Sequence, residues 1–319
     1  MMTEEELRRR SPLLRGLAET RVVRVEDGPG AGGRLLQVRT PSTLALDVAL
    51  DRGGDVLRLA WRGVELGWHS AAGAPAPWPA LEDDRGLGFL RGFDGFLVTC
   101  GLDHHGLPAQ TDAAAFRYPP RERCVHPLHG RIMAARAELL RREVDWEAGR
   151  VEIRTVARQV SVFGEALELD RRLSVGLHEP RLVIDDVVTN RGFRPTRHGI
   201  LYHVNLGHPL LGEGSRLVGE GWALRDRLDG EAAPEDDHVE VVEVGSSPPM
   251  GIGLENPALG VRLTLRYDAE ALPVTALWRA FQSGVFALGL EPQTDLAADS
   301  PLGPGEARRY ALEVELADA

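Results

Sequence analysis

The chain has 319 residues, 43% hydrophobic and 27% charged, which excludes a disordered or fibrous protein and leaves enough apolar material for a sizeable core. Acidic residues number 48 against 37 basic ones, a net charge of −11, so a nucleic-acid-binding or anionic-membrane-binding surface is not expected. Every basic residue other than histidine is arginine, and the missing lysine excludes Schiff-base, pyridoxal-phosphate and P-loop chemistry.

At the start, Thr3 and Glu6 have capping-box spacing, and Leu7, Leu14 and Leu17 form an apolar stripe, so a short amphipathic helix within residues 1–20 is expected to pack on the rest. From Arg34 onward the pattern changes to short runs of period two, broken by Gly, Pro, Asp and Asn. Asp51-Arg52-Gly53-Gly54-Asp55 reads as a glycine turn, and 73–79, with Trp68 just before it and Trp78 near its end, as a loop. Residues 151–160, 167–173 and 182–188 alternate apolar with charged side chains and predict an antiparallel meander. The acidic stretch 229–238 reads as a surface loop, and 309–316 as a closing strand after the turn Pro301-Leu302-Gly303-Pro304-Gly305-Glu306. The expected architecture is all-β: one large antiparallel β-sandwich domain over 1–319 with a few short helices. Cys100 and Cys124 are too few for a disulfide scaffold, and no apolar run approaches about 18 residues, so a cytoplasmic protein away from the membrane is expected.

Three segments concentrate polar chemistry. In Leu201-Tyr202-His203-Val204-Asn205-Leu206-Gly207-His208-Pro209, alternation puts Leu201, His203 and Asn205 on one strand face and Tyr202, Val204 and Leu206 on the other. A face bearing His and Asn is wet or functional, the plainer alternative being a buried histidine bonded to a carbonyl. In Val285-Phe286-Ala287-Leu288-Gly289-Leu290-Glu291-Pro292, a carboxylate ends an apolar run; partial burial would raise its pKa and make it a better base, whereas an exposed turn glutamate would do nothing. In Cys124-Val125-His126-Pro127-Leu128-His129-Gly130-Arg131-Ile132, Gly130 allows close backbone approach and Arg131 offers a planar fork of donors for hydroxyls or an oxyanion, or simply pairs with a surface acid.

Asp51-Arg52-Gly53-Gly54-Asp55, Gly92-Phe93-Asp94-Gly95-Phe96-Leu97-Val98-Thr99-Cys100-Gly101-Leu102, Pro127-Leu128-His129-Gly130-Arg131-Ile132, residues 201–209, Leu288-Gly289-Leu290-Glu291-Pro292 and Leu302-Gly303-Pro304-Gly305-Glu306 occur in an order that resembles the aldose 1-epimerase (galactose mutarotase) superfamily, most closely its aldose 1-epimerase-like branch. The resemblance implies a large twisted β-sandwich that binds a monosaccharide, needs no cofactor, and interconverts the sugar's anomers. It implies that Glu291 is the catalytic base, His203 the acid, and His129 a sugar contact. Where the mutarotase proper carries Asn-His-x-Tyr-Phe-Asn, this chain reads Tyr202-His203-Val204-Asn205, and Gln293-Thr294-Asp295 follows the glutamate in place of a Pro-Asp pair.

On that basis Glu291 is expected to take the O1 proton while His203, as imidazolium, donates to O5 from the opposite side of the ring. Arg131 and Arg52 would join His129 in holding hydroxyls, Asp94 would accept from one, and Asn205 would orient a side chain or the sugar. Two alternatives stand beside this. His126, His129, His203 and Glu291 could converge on a divalent metal in a sugar isomerase, epimerase or lyase, or the groove could bind a sugar without catalysis.

Overall fold

The computed structural model describes residues 4–220, 239–243, 251–297 and 301–319. The strands are β1 (Glu19–Arg24), β2 (Arg34–Arg39), β3 (Leu44–Ala49), β4 (Asp55–Trp61), β5 (Val64–Glu65), β6 (Leu97–Leu102), β7 (Ala109–Asp112), β8 (Arg123–His126), β9 (Glu138–Asp145), β10 (Arg150–Val160), β11 (Ala166–Gly176), β12 (Arg181–Asn190), β13 (Gly199–Leu206), β14 (Arg216–Glu220), β15 (Val239–Glu243), β16 (Gly251–Asn256), β17 (Val261–Tyr267), β18 (Val274–Ala280), β19 (Ala287–Gln293) and β20 (Ala307–Ala317). They form an antiparallel sheet β1-β2-β3-β4-β5, an eight-stranded sheet β14-β16-β17-β20-β12-β11-β10-β9, a sheet β15-β18-β19-β13-β6 and the ribbon β7-β8.

The meander expected over 151–188 is β10-β11-β12, paired strand to strand, and the closing strand is β20, which inserts between β12 and β17. Their burial alternates residue by residue, because one face packs on the core and the other meets solvent. β6, β13 and β19 differ: nearly every residue in them is buried on both faces. One face joins the main core, through Ile200, Tyr202, Val204, Leu288 and Leu290. The other supports a second cluster containing Trp68, Phe89, Phe93, Val98, Cys100 and Leu201.

Behind β13, the side chain of Arg171 is fully buried. Its guanidinium donates to Asp186 at 2.7 and 2.9 Å, to Asp55 at 2.8 Å and to Thr99 at 2.6 Å. Tyr202 Oη donates to Asp186 at 2.8 Å, and Thr99 gives Asp55 both its N–H and its hydroxyl. Strands β4, β6, β11, β12 and β13 are thereby tied together through charges that all have partners, the condition under which burial of charge is tolerated.

Two expectations change at the ends of elements. The first helix shortens to α1 (Glu4–Arg8) and a single 3-10 turn, Leu14–Gly16, because Pro12 has no N–H to donate and disfavours helical geometry at Ser11. Leu7 and Leu14 still enter the main core, but Leu17 is exposed. The cap residue Thr3 and the acidic loop 229–238 lie outside the described residues. The 51–55 turn is present, with Gly53 and Gly54 at φ +68° and +75°, and 73–79 is without regular structure, as expected. Among the described residues no helix is long and apolar enough to cross a membrane.

Candidate active site

The central pair of the site follows from strand register. Leu201 pairs with Gln293 and Val204 with Leu290, which brings His203 on β13 level with Glu291 on β19. Cross-strand neighbours on one face lie within side-chain reach, and His203 Nε2 is 3.2 Å from Glu291 Oε1. Both side chains are almost wholly buried. Gly289 makes the approach possible. A Cβ there would sit 2.9 Å from His203 Cε1, 3.0 Å from the Trp278 Cβ and 3.1 Å from Glu291 Oε1, so a side chain would wedge the pair apart.

Burial moves the two proton affinities in opposite directions, since it disfavours whichever form is charged. Glu291 is pushed up to about 8. His203 is pushed down to about 3 by burial, against an opposing pull from the Asn205 side chain. The resting pair is therefore an uncharged carboxyl facing an uncharged imidazole. The direction of both shifts favours a proton on the glutamate, where an imidazolium is expected from sequence. The two groups stand in contact with each other.

The pair opens into a cavity of about 480 Å³ in which only four of fourteen lining residues, His129, His203, Glu291 and Gln293, carry polar side chains. Aromatic rings make up much of the wall. Phe93 lies 4.8 Å from His203 and 5.5 Å from Trp278 between ring centroids, Trp278 is 5.4 Å from His203, and Phe89 is 4.8 Å from His129. His129 reaches the cavity on a strap tied to the end of β6: Gly101 N–H donates to the His129 carbonyl and Arg131 N–H to the Gly101 carbonyl. Gly130, at φ +78°, is needed because a Cβ would fall 2.3 Å from the Gly101 carbonyl oxygen. The His129 ring lies 5.6 Å from His203, accepts from Gly106 N–H at 3.4 Å, and is held well below its ordinary pKa by burial first and by His203 second.

Of the residues named from sequence, Glu291, His203 and His129 converge here, and Asn205 adjoins His203 on the same strand face. Arg52, Asp94 and Arg131 do not line this cavity. Arg52 is buried, stacked 3.9 Å over Trp78, and donates to the carbonyls of Pro75, Gly92 and Asp94. Burial lowers its pKa to about 10, so it stays charged and braces the loop that carries Phe93. Asp94 accepts from Ser70 N–H at 2.5 Å and lies 3.5 Å from His69, whose pKa rises to about 9 through Asp94 and then Glu65. Arg131 binds Glu82 at 2.9 Å and the Val125 carbonyl at 2.8 Å. His126 does not join the other histidines either: its two ring nitrogens are engaged by Asp103 at 3.0 Å and Thr111 at 2.8 Å. No group of three or more His, Cys, Asp or Glu suited to a metal occurs among the described residues.

The aromatic wall was not identified from sequence. Phe93 adjoins Asp94 in a motif already singled out, so its alternation was the available signal. Trp278 lies within the apolar stretch of β18 and has no distinguishing mark until β18 pairs with β19, Trp278 opposite Gly289.

Comparison with known proteins agrees with this fold. A family model described as a domain of unknown function, DUF4432, matches residues 30–315. No curated protein matches the sequence. Among solved structures, a provisionally assigned aldose 1-epimerase from Klebsiella pneumoniae superposes with a TM-score of 0.82 at 22% identity, over 94% of this chain and 84% of its own. A galactose 1-epimerase from Lactobacillus acidophilus gives 0.63 at 12% identity over 94% and 99%. A galactose mutarotase-like protein from Clostridium acetobutylicum gives 0.64 at 11% over 95% and 100%. The chain thus has the galactose mutarotase-like fold, the β-sandwich expected from its sequence.

Proposed function

The chain belongs to the DUF4432 family, and on that premise we propose that it binds a monosaccharide in the Glu291 cavity and interconverts its α and β anomers by acid–base ring opening and closure. The observation that carries the reading is the 3.2 Å contact between His203 Nε2 and Glu291 Oε1 inside an aromatic-walled cavity. Opening a cyclic aldose requires one proton to leave O1 and one to reach O5. Both oxygens are bonded to C1, so two groups in contact with each other can serve both at once. A carboxyl and an imidazole sharing one proton supply an acid and a base together, and environments that push two proton affinities apart are the usual mark of such a division of labour. Phe93 and Trp278 offer flat faces for the C–H side of the ring, while His129 and Gln293 provide hydrogen bonds. The names carried by structural neighbours agree with this chemistry.

One-dimensional proton NMR on a panel of aldoses, ketoses and uronic acids, with exchange transfer between anomeric signals, tests the proposal. Faster α/β exchange without new resonances is expected, falling by roughly 10²–10⁴-fold in Glu291→Gln, the usual size of a general acid–base contribution. New sugar resonances would mean chemistry at another carbon, and unchanged exchange with every sugar would reduce the cavity to a binding site.

A further inference from the structure

Asn205 and His203 present two unpaired buried atoms on one face of β13. Asn205 Nδ2 donates to the Gly95 carbonyl at 2.9 Å. A carbonyl can only accept, so this bond fixes which end of the amide points there. Asn205 Oδ1 is left buried with no partner among the described residues, and so is His203 Nδ1, two residues earlier on the same face. Leaving each alone costs about 1–3 kcal/mol. The two can satisfy each other only one way, because Oδ1 has no hydrogen to give: Nδ1 must carry it. A neutral imidazole has a single N–H, so Nε2 is then a bare lone pair, and the hydrogen in the 3.2 Å contact with Glu291 must belong to the carboxyl.

We infer that Asn205 is a positioning residue that holds His203 in the Nδ1–H tautomer, so that Nε2 is the empty proton site and Glu291 holds the mobile proton of the pair. The displaced affinities of Glu291 and His203 point the same way. The inference rests on the reading of these two as the reacting pair, and it reverses their expected roles in ring opening. Nε2 takes the proton from O1–H, and the O1 electron pair forms the C1=O1 double bond. The C1–O5 bond breaks with its electrons going to O5, and O5 receives the Glu291 proton. Imidazolium and carboxylate then face each other, and closure on either face of C1 returns both protons.

The test is long-range ¹H–¹⁵N correlation on the full chain labelled with ¹⁵N-histidine, without sugar, with the His203 signals identified by their loss in His203→Gln. The expected spectrum has a pyrrole-type Nδ1 and a pyridine-type Nε2. Asn205→Leu should move His203 toward the Nε2–H form and lower kcat by roughly tenfold or more with KM little changed, whereas Asn205→Asp, still an acceptor, should restore the Nδ1–H form. A pyridine-type Nδ1 in the wild-type protein overturns the inference, and so does an unchanged tautomer in folded Asn205→Leu. If the leucine variant does not fold, the wild-type spectrum decides alone. Because the spectrum is read without substrate, a wrong tautomer beside accelerated anomer exchange removes only the proton placement, while the expected tautomer without acceleration removes only the proposed reaction.

Discussion

Two buried polar clusters occupy opposite faces of β13, and they are built on opposite terms. Behind the strand, Arg171, Asp55, Asp186, Thr99 and Tyr202 saturate one another, and the charges are kept because each is paired. In front, His203 and Glu291 are just as buried, burial favours the uncharged form of each, and His203 Nδ1 and Asn205 Oδ1 have no hydrogen-bond partner among the described residues. Adjacent residues, Tyr202 and His203, thus belong to the saturated network and to the proposed reacting pair respectively. In the ionic network the affinities of Arg171 and Tyr202 are displaced upward, away from neutrality. In the neutral pair burial moves the Glu291 carboxyl upward toward neutrality, which is what proton transfer needs.

The largest expected effect separates the two faces by stability. Arg171→Met leaves Asp55 and Asp186 buried without their cation and should cost about 3–5 kcal/mol, measured by urea unfolding, with lost activity following only from lost folded protein. A variant that stays fully stable yet loses activity would erase the distinction between the clusters.

The front pair should show the contrary dependence on pH. Glu291 titrates at about 8 in the folded chain against an ordinary 4.5, so between those values the native state holds a proton that the unfolded state has released. Stability is fully present below the lower value and is lost as pH rises through the upper one, by up to a few kcal/mol. Glu291→Gln should lack this slope and melt above the wild type near pH 9, while the wild-type rate falls about tenfold per unit above pH 8 as the shared proton leaves. The neighbours facing the pair do not mimic this: His129 is held well below its ordinary value and the Cys100 thiol well above its own. Parallel melting curves for the two proteins from pH 5 to 9 would contradict the desolvated pair.

A smaller effect sharpens the geometry. Gly289→Ala places a methyl against His203 and Glu291 and should cost about 1–3 kcal/mol by overpacking, with a disproportionate loss of kcat as the 3.2 Å contact opens. The smallest concerns Arg131, which pairs with exposed Glu82 outside the cavity. Arg131→Gln should shift stability by less than about 1 kcal/mol and leave KM unchanged. A raised KM would place that arginine in the proposed sugar site.

Much of this was legible in the chain. Period-two alternation located β10, β11, β12 and β20, because a strand with one face on the core and one in water must write that difference into successive residues. The same alternation separated His203 and Asn205 from Tyr202, and the apolar run ahead of Glu291 announced its burial. That Arg52, Asp94 and Arg131 lie outside the cavity was not legible, because a side chain's partner depends on segments distant in the chain: Arg52 turns to the carbonyls of 75, 92 and 94, and Arg131 to Glu82.

Local sequence by itself determined which residues form strands, which way their side chains alternate, and that lysine-dependent chemistry is absent, since these depend on residue type and neighbours along the chain. Only the tertiary structure decided that β13 meets β19 in the register that sets His203 against Glu291, that Trp278 and Phe93 close around them, and that burial raises the proton affinity of the carboxyl and lowers that of the imidazole. Register and desolvation arise from strands far apart in sequence, and no single segment carries them.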